Sequence, residues 1–331
     1  MSSNKFPPAF SPRRRALCAL GLASAFAPFV ARAQAFPSRP IKVLVPYSPG
    51  GGADVNARLV TQYMSNILGQ TFVIDNRVGA SGMIAGAAAV QAPADGYTML
   101  YDTFPFAVNA GVRKMSYNPM KDLLPVSQAL NMPNILLVPA AAPYKDIKEF
   151  LAYARANPGK LSFASYGPGS TAHLAGEFLR NEAKIDWLHV PYKGGAPAIT
   201  DLVAGQVNAY FGNPISGLSF VKSGKLRALA VTGRKRMEVL PEVPTMIEAG
   251  FKDFEVVEWN GFFLPAGTPP AIVAKLAAAV QQAVQTPEVR QRMSSVGIEP
   301  VGNSPEEFAR FLQGQVARWS ALVKDNHITL D

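Results

Sequence analysis

Two glycine- and serine-rich turns contain the residue types best suited to ligand chemistry. The first follows the apolar segment 41–45 and has the sequence Val45-Pro-Tyr-Ser-Pro-Gly-Gly-Gly-Ala-Asp54; the second follows the apolar segment 161–164 and has the sequence Ser165-Tyr-Gly-Pro-Gly-Ser-Thr-Ala-His173. Each leads into a helical pattern. Because the first turn of a helix has unpaired N–H groups and the positive end of the helix dipole, such a turn can bind an anion. A tight strand–helix turn without a ligand has the same features, so both interpretations stay open.

The residue spacing does not indicate a metal or nucleotide site. The three histidines, His173, His189 and His327, lie far apart and form no His-x-x-x-His pair, which disfavours a metal site. The glycines at 50–52 are not followed by Gly-Lys-Ser/Thr, and the Gly-x-Gly at 167–169 lacks the third glycine of a dinucleotide fingerprint. We therefore predict no metal and no cofactor.

Nucleophilic catalysis has one candidate pair. Ser170 lies three residues before His173, but no third partner is evident and no Gly-x-Ser-x-Gly motif occurs. The chain is therefore predicted not to be an enzyme and to have no catalytic residue. A periplasmic hydrolase that uses Ser170 and His173 stays as the alternative.

Residues 1–35 have the features of a removable export signal. A basic segment, Arg13-Arg14-Arg15, precedes an apolar segment, 16–30, which is too short for an ordinary membrane span. Small-x-small cleavage sites end at Ala33 and Ala35, so the mature chain should begin near Gln34 or Phe36. We expect export by the Sec or Tat route and a location in the periplasm. Cys18, the one cysteine, is then lost with the signal, which leaves neither a disulfide nor a thiol nucleophile.

The charge of the exported part is modest. Five basic residues and no acidic ones lie in residues 1–33, so the formal net charge of +9 falls to +4 without them. The one compact basic run that remains, 234–236, suits a solvated loop, and no nucleic acid partner is expected. No later apolar run approaches 18 residues, so a soluble mature protein is expected.

Strand and helix patterns alternate along the chain, which predicts an α/β fold. In the first helix, Val55, Leu59, Tyr63 and Ile67 predict the buried face. Irregular chain is expected around Tyr117–Pro119 and Leu124–Pro125. The predicted strands cover residues 41–45, 71–75, 97–101, 134–138, 161–164, 187–190, 207–211 and 226–231, and three helices follow at 269–285, 287–295 and 305–324.

The repetition of this pattern predicts two lobes, each with parallel or mixed strands flanked by helices. We expect domain I to contain residues 36–137 and 257–331 and domain II residues 138–256, with crossings near 125–140 and 254–264. The C-terminal helices should return to pack on domain I. Two lobes that each present a glycine-rich turn favour a binding cleft between them.

Several motifs resemble those of the Bug family of periplasmic solute-binding proteins, the receptors of tripartite tricarboxylate transporters. The resemblance covers essentially the whole mature chain, and the order and spacing of the motifs make it specific. Its main pieces are Pro37-Ser-Arg-Pro-Ile41, Val45–Asp54 with Ala57-Arg58, Asp75-Asn-Arg77, Gly79-Ala-Ser-Gly82, Asp95-Gly-Tyr-Thr98, Asn157-Pro-Gly-Lys-Leu161, Ser165–Leu174, His189-Val-Pro-Tyr-Lys-Gly194, Gly205-Gln-Val207, Pro241–Thr245 and Pro265–Pro269.

The resemblance implies a type II-like periplasmic binding-protein fold whose two lobes close on a ligand, in the manner of a Venus flytrap. It implies a monomer that binds a small organic acid and serves the membrane subunits of a tripartite tricarboxylate-type transporter. A pocket of amides and ordered waters, without an arginine in these turns, accepts varied acids. The sequence therefore gives the ligand class and leaves the individual acid, and a transport or sensing role, open.

The ligand-binding residues expected on this basis come from both turns. From the first lobe, we expect Ser48, Gly50 and Gly51 to present N–H and O–H donors to a carboxylate, and Asp54 to orient the turn or a bridging water. Ser165, Gly169, Ser170 and Thr171 should do the same from the second lobe. Tyr47 and Tyr192 are expected to form the walls of the pocket, with ordinary packing as their alternative role. Gly82 and Thr103 are further candidates.

Overall fold

The computed structural model describes residues 36–330. The predicted export signal, residues 1–35, lies outside the described residues. Residues from Arg39 onward form one compact unit, and Phe36, Pro37 and Ser38 belong to a separate one. In the described part of the chain, no helix combines the length and apolar character needed to span a membrane.

The elements alternate between strands and helices. Those of the first half are β1 (Ile41–Val45), α1 (Gly52–Leu68), β2 (Phe72–Asn76), α2 (Met83–Val90), β3 (Thr98–Thr103), α3 (Pro105–Val112), α4 (Pro119–Asp122), β4 (Leu123–Pro133), β5 (Ile135–Pro139), α5 (Ile147–Ala156) and β6 (Leu161–Ser165). Those of the second half are α6 (Thr171–Ala183), β7 (Trp187–Pro191), α7 (Gly195–Val203), β8 (Ala209–Gly212), α8 (Pro214–Lys222), β9 (Leu226–Val231), β10 (Val257–Pro265), α9 (Pro270–Gln285), α10 (Pro287–Ser294), β11 (Glu299–Pro300) and α11 (Pro305–Asp325).

The strands form two mixed sheets. The first has the order β11-β4-β10-β3-β1-β2, and the second has the order β7-β6-β8-β5-β9. β1 runs parallel to β2 and β3, and β6 runs parallel to β7 and β8, whereas β10 is antiparallel to β3 and β4. The predicted fold class, mixed sheets flanked by helices, is confirmed.

The chain passes between the sheets twice. It leaves the first sheet after β4 and enters the second at β5, and it returns between β9 and β10. The domain crossings expected near 125–140 and 254–264 stay a prediction. The domain limits at 137 and 256 stay a prediction, because residues from Arg39 onward form a single compact unit.

The buried face of α1 differs from the predicted one. Val55 and Ile67 are 42% and 38% exposed, whereas Asn56 and Thr61 are buried. The Thr61 hydroxyl donates to a carbonyl of its own helix at 2.8 Å, and the Asn56 amide lies 3.4 Å from Asn260 Oδ1. Because these polar groups have internal partners, they can lie against the core, and apolar spacing alone could not reveal that face.

The chain around Leu124–Pro125 is not irregular, contrary to the prediction. It belongs to β4, which pairs with β10 over nearly its whole length. Pro125 lies opposite Phe263, directly beside a register shift in this ladder. A bulge is one of the few places where a strand accepts proline, so the proline was misinterpreted as a break.

The C-terminal helices pack on the first sheet, as predicted. α9 lies against α1 and β4, and α11 lies against α3 and β4. Phe308 of α11 contacts two aromatic rings of β10, with centroid distances of 5.7 Å to Trp259 and 5.3 Å to Phe263. A capping box formed by Ser304 and Glu307 is present at the start of α11.

Candidate functional site

A cavity of about 360 Å³ is lined by residues of both sheets, of the turns near their strands and of the first turns of helices. Five helices begin at its wall, and each of them is at least eight residues long. The lining residues at these five N-termini are Gly51, Gly52 and Ala53 for α1, Pro105 for α3, Ser170 for α6, Gly194 and Gly195 for α7, and Asn213 for α8. Helix N-termini carry unpaired N–H groups and partial positive charge, so this cavity favours an anion.

The cavity has no cationic side chain of its own. Among the lining residues in the described part of the chain, none is Lys, Arg or His, and Glu258 is the one carboxylate. Within residues 36–330, no group of three or more His, Cys, Asp and Glu side chains is placed to hold a metal ion. Attraction for an anion therefore comes from backbone dipoles, amides and hydroxyls.

Four of the twelve predicted residues line the cavity, namely Tyr47, Gly51, Thr103 and Ser170. Tyr47 and Thr103 share a hydrogen bond between their hydroxyl groups. The buried carboxylate of Asp102 accepts from the Thr103 amide at 2.7 Å, and burial raises the pKa of Asp102 to about 7. The end of β3 and the hydroxyl groups of Tyr47 and Thr103 thus form one hydrogen-bonded part of the cavity wall.

Ser48, Gly50 and Asp54, the other predicted residues of the first turn, do not line the cavity. Hydrogen bonds within the turn account for their positions and for that of the Gly51 amide. The Gly50 amide donates to Asp54 Oδ2 at 2.9 Å, and the Gly51 amide donates to the Ser48 carbonyl at 3.2 Å. Both amides are therefore occupied, and Ser48 is exposed. α1 has no side-chain cap, and its first two residues, Gly52 and Ala53, line the cavity.

Asp54 is a structural carboxylate beneath this turn. Its second oxygen accepts from Asn76 at 2.9 Å, and Arg58 donates to the oxygen that also accepts from Gly50, at 2.9 Å. Burial alone would raise the pKa of Asp54, but hydrogen bonds from Arg58, Gly50 and Asn76 together lower it. This agrees with the expected orienting role for the glycine turn.

The second turn is held by Ser170 at the start of α6. The Ser170 hydroxyl donates to the Gly167 carbonyl at 2.6 Å and accepts from the His173 amide at 3.3 Å. The Gly169 amide donates to His173 Nδ1 at 3.1 Å. Gly169 and Thr171 are buried and do not line the cavity, which Gly167 and Pro168 line in their place.

A pair of stacked histidines lies behind this turn. The rings of His173 and His189 are 4.0 Å apart, and His189 Nε2 lies 2.7 Å from the hydroxyl of the fully buried Ser165. Burial lowers the pKa of His173 to about 3 and that of His189 to about 4. Both rings are therefore neutral packing and hydrogen-bonding groups, and Ser165 lies behind the cavity wall.

This geometry does not support the hydrolase alternative. The hydroxyl of Ser170 caps its own helix, and His173 Nδ1 accepts the Gly169 amide instead of facing that hydroxyl. A nucleophile needs a base within hydrogen-bond reach of its proton, and the proton of Ser170 points to the Gly167 carbonyl.

Tyr192 and Gly82 also lie outside the cavity wall. The Tyr192 hydroxyl donates to Asp201 at 2.7 Å, and Tyr166 forms the aromatic wall that we expected of Tyr192. Gly82 is buried beside Asp102, and its neighbour Ser81 lines the cavity. A β-carbon at Gly82 would stand 3.2 Å from Asp102 Oδ2, so glycine permits this close approach.

The sequence prediction missed the residues that come from strand ends far along the chain. Met132, Asn213 and Glu258 line the cavity. Asn213 caps α8 by accepting from the Ser216 amide at 2.9 Å, and the Asn-Pro pair at the end of an apolar strand was a usable sign of that helix start. Glu258, an acidic residue within an otherwise apolar strand pattern, was the other available sign.

Comparison with known proteins identifies the family. A family model described as the tripartite tricarboxylate transporter family receptor matches residues 56–328. This chain belongs to that family. The resemblance seen in the motifs is confirmed, and the chain belongs to a family of solute-binding receptors and not of enzymes.

Two curated relatives of this receptor are similar over nearly their whole length. A protein from the tcbD-tcbE intergenic region of Pseudomonas sp. strain P51 is 40% identical over 328 residues, which is 98% of this chain and 97% of the relative. Protein BugT of Bordetella pertussis is 35% identical over 318 residues, which is 94% of this chain and 97% of the relative.

Two solved receptor structures from Rhodopseudomonas palustris resemble this one. Rpa4515 with adipate has a TM-score of 0.82 at 35% identity, over 89% of this chain and 99% of that chain. MatC with bound malate has a TM-score of 0.77 at 36% identity, over 87% of this chain and all of that chain. Both named ligands are carboxylic acids.

Proposed function

We propose that this receptor captures a small carboxylate in the cavity of about 360 Å³ and delivers it to the membrane subunits of a tripartite tricarboxylate-type transporter. The observation that carries the proposal is that five helix N-termini meet at one cavity without a cationic lining residue in the described part of the chain. A volume near 360 Å³ is at the lower end for small-molecule sites, about 300–1,000 Å³. Adipate and malate in two related receptors support the same ligand class.

The proposed donors to the carboxylate are backbone amides at the starts of α1 and α7, aided by a hydroxyl group. Gly52 and Ala53 provide amides from α1, and Gly195 provides one from α7. Thr103 adds a hydroxyl group at the wall, and the Ser170 hydroxyl, whose proton is donated to the Gly167 carbonyl, holds the neighbouring turn in place. Amides of this kind are fixed before the ligand arrives, so little ordering free energy is lost on binding.

Export, location and partner are part of the same proposal. The export signal expected in residues 1–35 would place the receptor in the periplasm, where two lobes with limits near 137 and 256 would close on the acid as a monomer. The closed form would then dock on the membrane subunits. Support for this step is the family membership and the sequence of residues 1–35.

The testing experiment is thermal unfolding of the processed protein with a panel of mono- and dicarboxylic acids and their amides. The protein is first unfolded and refolded to remove any acid acquired during expression. An acid that binds only the folded state adds about 2.7 kcal/mol to the free energy of unfolding at a hundredfold excess over Kd. Shifts with one or a few acids and none with their amides support the proposal; no shift with any acid overturns it.

A further inference from the structure

Glu258 is a carboxylate inside a cavity that otherwise favours anions. It lies on β10 directly opposite Met132 of β4, and both residues line the cavity. The neighbouring residues Val257 and Trp259 are buried, whereas Glu258 is partly accessible. The side chain of Glu258 faces the cavity. An ionisable side chain in this position is accessible to a ligand in the cavity.

Within residues 36–330, the surroundings of Glu258 supply hydrogen bonds but no cationic side chain in an ion pair with it. The Tyr166 hydroxyl donates to Glu258 Oε2 at 2.9 Å, and the same hydroxyl contacts that of Thr171. Burial raises the pKa of Glu258, and hydrogen bonds from Tyr166 and Thr171 act against this rise.

A carboxylate in a largely enclosed cavity without a cationic partner is unfavourable, and removing the charge or pairing it relieves the cost. A second ligand carboxylate beside Glu258 would add like-charge repulsion. A ligand ammonium would instead form a charge-assisted hydrogen bond with it. The cavity therefore contains two kinds of binding group, helix N-termini that favour an anion and Glu258, which favours a cation.

We propose that Glu258 binds an ammonium group and that the ligands of this receptor are amino acids, which carry a carboxylate and an ammonium together. The inference rests on the proposed function, because it assigns the carboxylate of the same ligand to the helix N-termini. It narrows the ligand class from carboxylic acids in general to zwitterionic ones. Glu258 is then the specificity-determining residue of the site.

Calorimetric titration with matched probes tests this inference. Each set of probes contains four compounds: an amino acid, the same acid without its amine, its N-acetyl derivative, and a dicarboxylate of similar length. Suitable sets are based on alanine, 4-aminobutanoate and 6-aminohexanoate. In at least one set, the refolded wild type should bind the amino acid at least tenfold more tightly than each of the other three. The N-acetyl comparison needs no variant, because acetylation removes the charge from the amine.

Glu258→Gln keeps the size of the side chain and removes its charge, so the preference for the amine should fall to about one. Glu255→Gln is the matched control: Glu255 lies three residues earlier, pairs with Arg234 at 2.8 Å and does not line the cavity, so the preference should persist. Thermal unfolding of both variants verifies folding, and if E258Q does not fold, the wild-type comparison decides alone.

The outcomes separate the two proposals. Binding of acids without a preference for the amine, or a preference that survives in E258Q, overturns the inference and leaves the proposed function intact. Dicarboxylates that bind best and lose affinity in E258Q also overturn it, because Glu258 would then act as a protonated donor. If no acid of any set binds the wild type, the proposed function itself fails.

Discussion

The backbone amide of Gly50 donates a 2.9 Å hydrogen bond to the carboxylate of Asp54, four residues later in α1. This bond helps to fix the glycine turn, in which Gly50 has a positive φ of 78°. The turn then presents the next amides to the cavity. Asp54 therefore shapes the site without facing the ligand.

Replacing Asp54 with alanine should lower the free energy of unfolding by about 1–3 kcal/mol, because the Gly50 amide and the Asn76 side chain lose their acceptor. Affinity for carboxylates should fall as well, because the turn loses its fixed conformation. Urea unfolding and calorimetric titration measure the two effects. Asp75→Ala, which removes a partly exposed pair with Arg77, is the control and should change stability by less than about 1 kcal/mol. Equal effects of D54A and D75A would contradict the assignment.

Replacing Ser170 with alanine should weaken binding without unfolding the protein. The hydroxyl lines the cavity and caps α6, so its loss should cost about 1 kcal/mol of stability together with part of the affinity for carboxylates. Ser304→Ala is a matched control, because Ser304 caps α11 through the same kind of bond and does not line the cavity. It should cost similar stability and no affinity. If S170A keeps the wild-type affinity, Ser170 is not part of the site.

The same glycine-to-alanine change should have opposite effects in two helices. A β-carbon at Gly176 in α6 would stand 2.1 Å from Phe163 Cε2, whereas one at the exposed Gly314 in α11 meets nothing within 4 Å. Gly314→Ala should stabilise the protein by roughly 0.5–1 kcal/mol through helix propensity. Gly176→Ala should destabilise it by about 1–3 kcal/mol, because overpacking in the core outweighs that gain. Chemical denaturation of both variants is the measurement, and a stabilised G176A would contradict the packing between α6 and β6.

The stacked histidines should make the protein less stable in acid. Burial lowers the pKa of His173 to about 3 and that of His189 to about 4, and the unfolded chain takes up both protons near pH 6.5. Because the unfolded state binds more protons in this window, the free energy of unfolding should fall as pH drops from about 6.5 to about 4, by up to about 1.4 kcal/mol per pH unit for each histidine.

Denaturation of the wild type and of His189→Gln across this pH range checks the assignment. The variant should have a shallower slope, because one buried histidine no longer titrates on unfolding, while Glu177 and Arg180 near His173 are common to both proteins. His327→Asn is the control, since His327 is exposed. A slope in H189Q equal to that of the wild type would show that His189 is not the group responsible.

Local sequence rules predicted most of the elements and part of the site. The glycine turn before α1 and the serine cap of α6 both lie at the cavity because a strand end, a turn and a helix start are encoded within about ten consecutive residues. The amide donors that we propose, Gly52 and Ala53, lie two residues after the predicted Gly50 and Gly51. The local rules could not show that the Gly50 and Gly51 amides would already be bonded to Asp54 and Ser48.

The sequence by itself determined the alternation of strands and helices, the two glycine-rich turns and the receptor family, because each depends on neighbouring residues or on motifs in a fixed order. Only the tertiary structure decided which of those residues line one cavity. It brought Met132, Asn213 and Glu258 to the site from separate strand ends, and it turned Tyr192 away toward Asp201. The reason is physical: the register of two sheets and the packing of five helix N-termini depend on contacts between residues far apart in the chain, which no local pattern encodes.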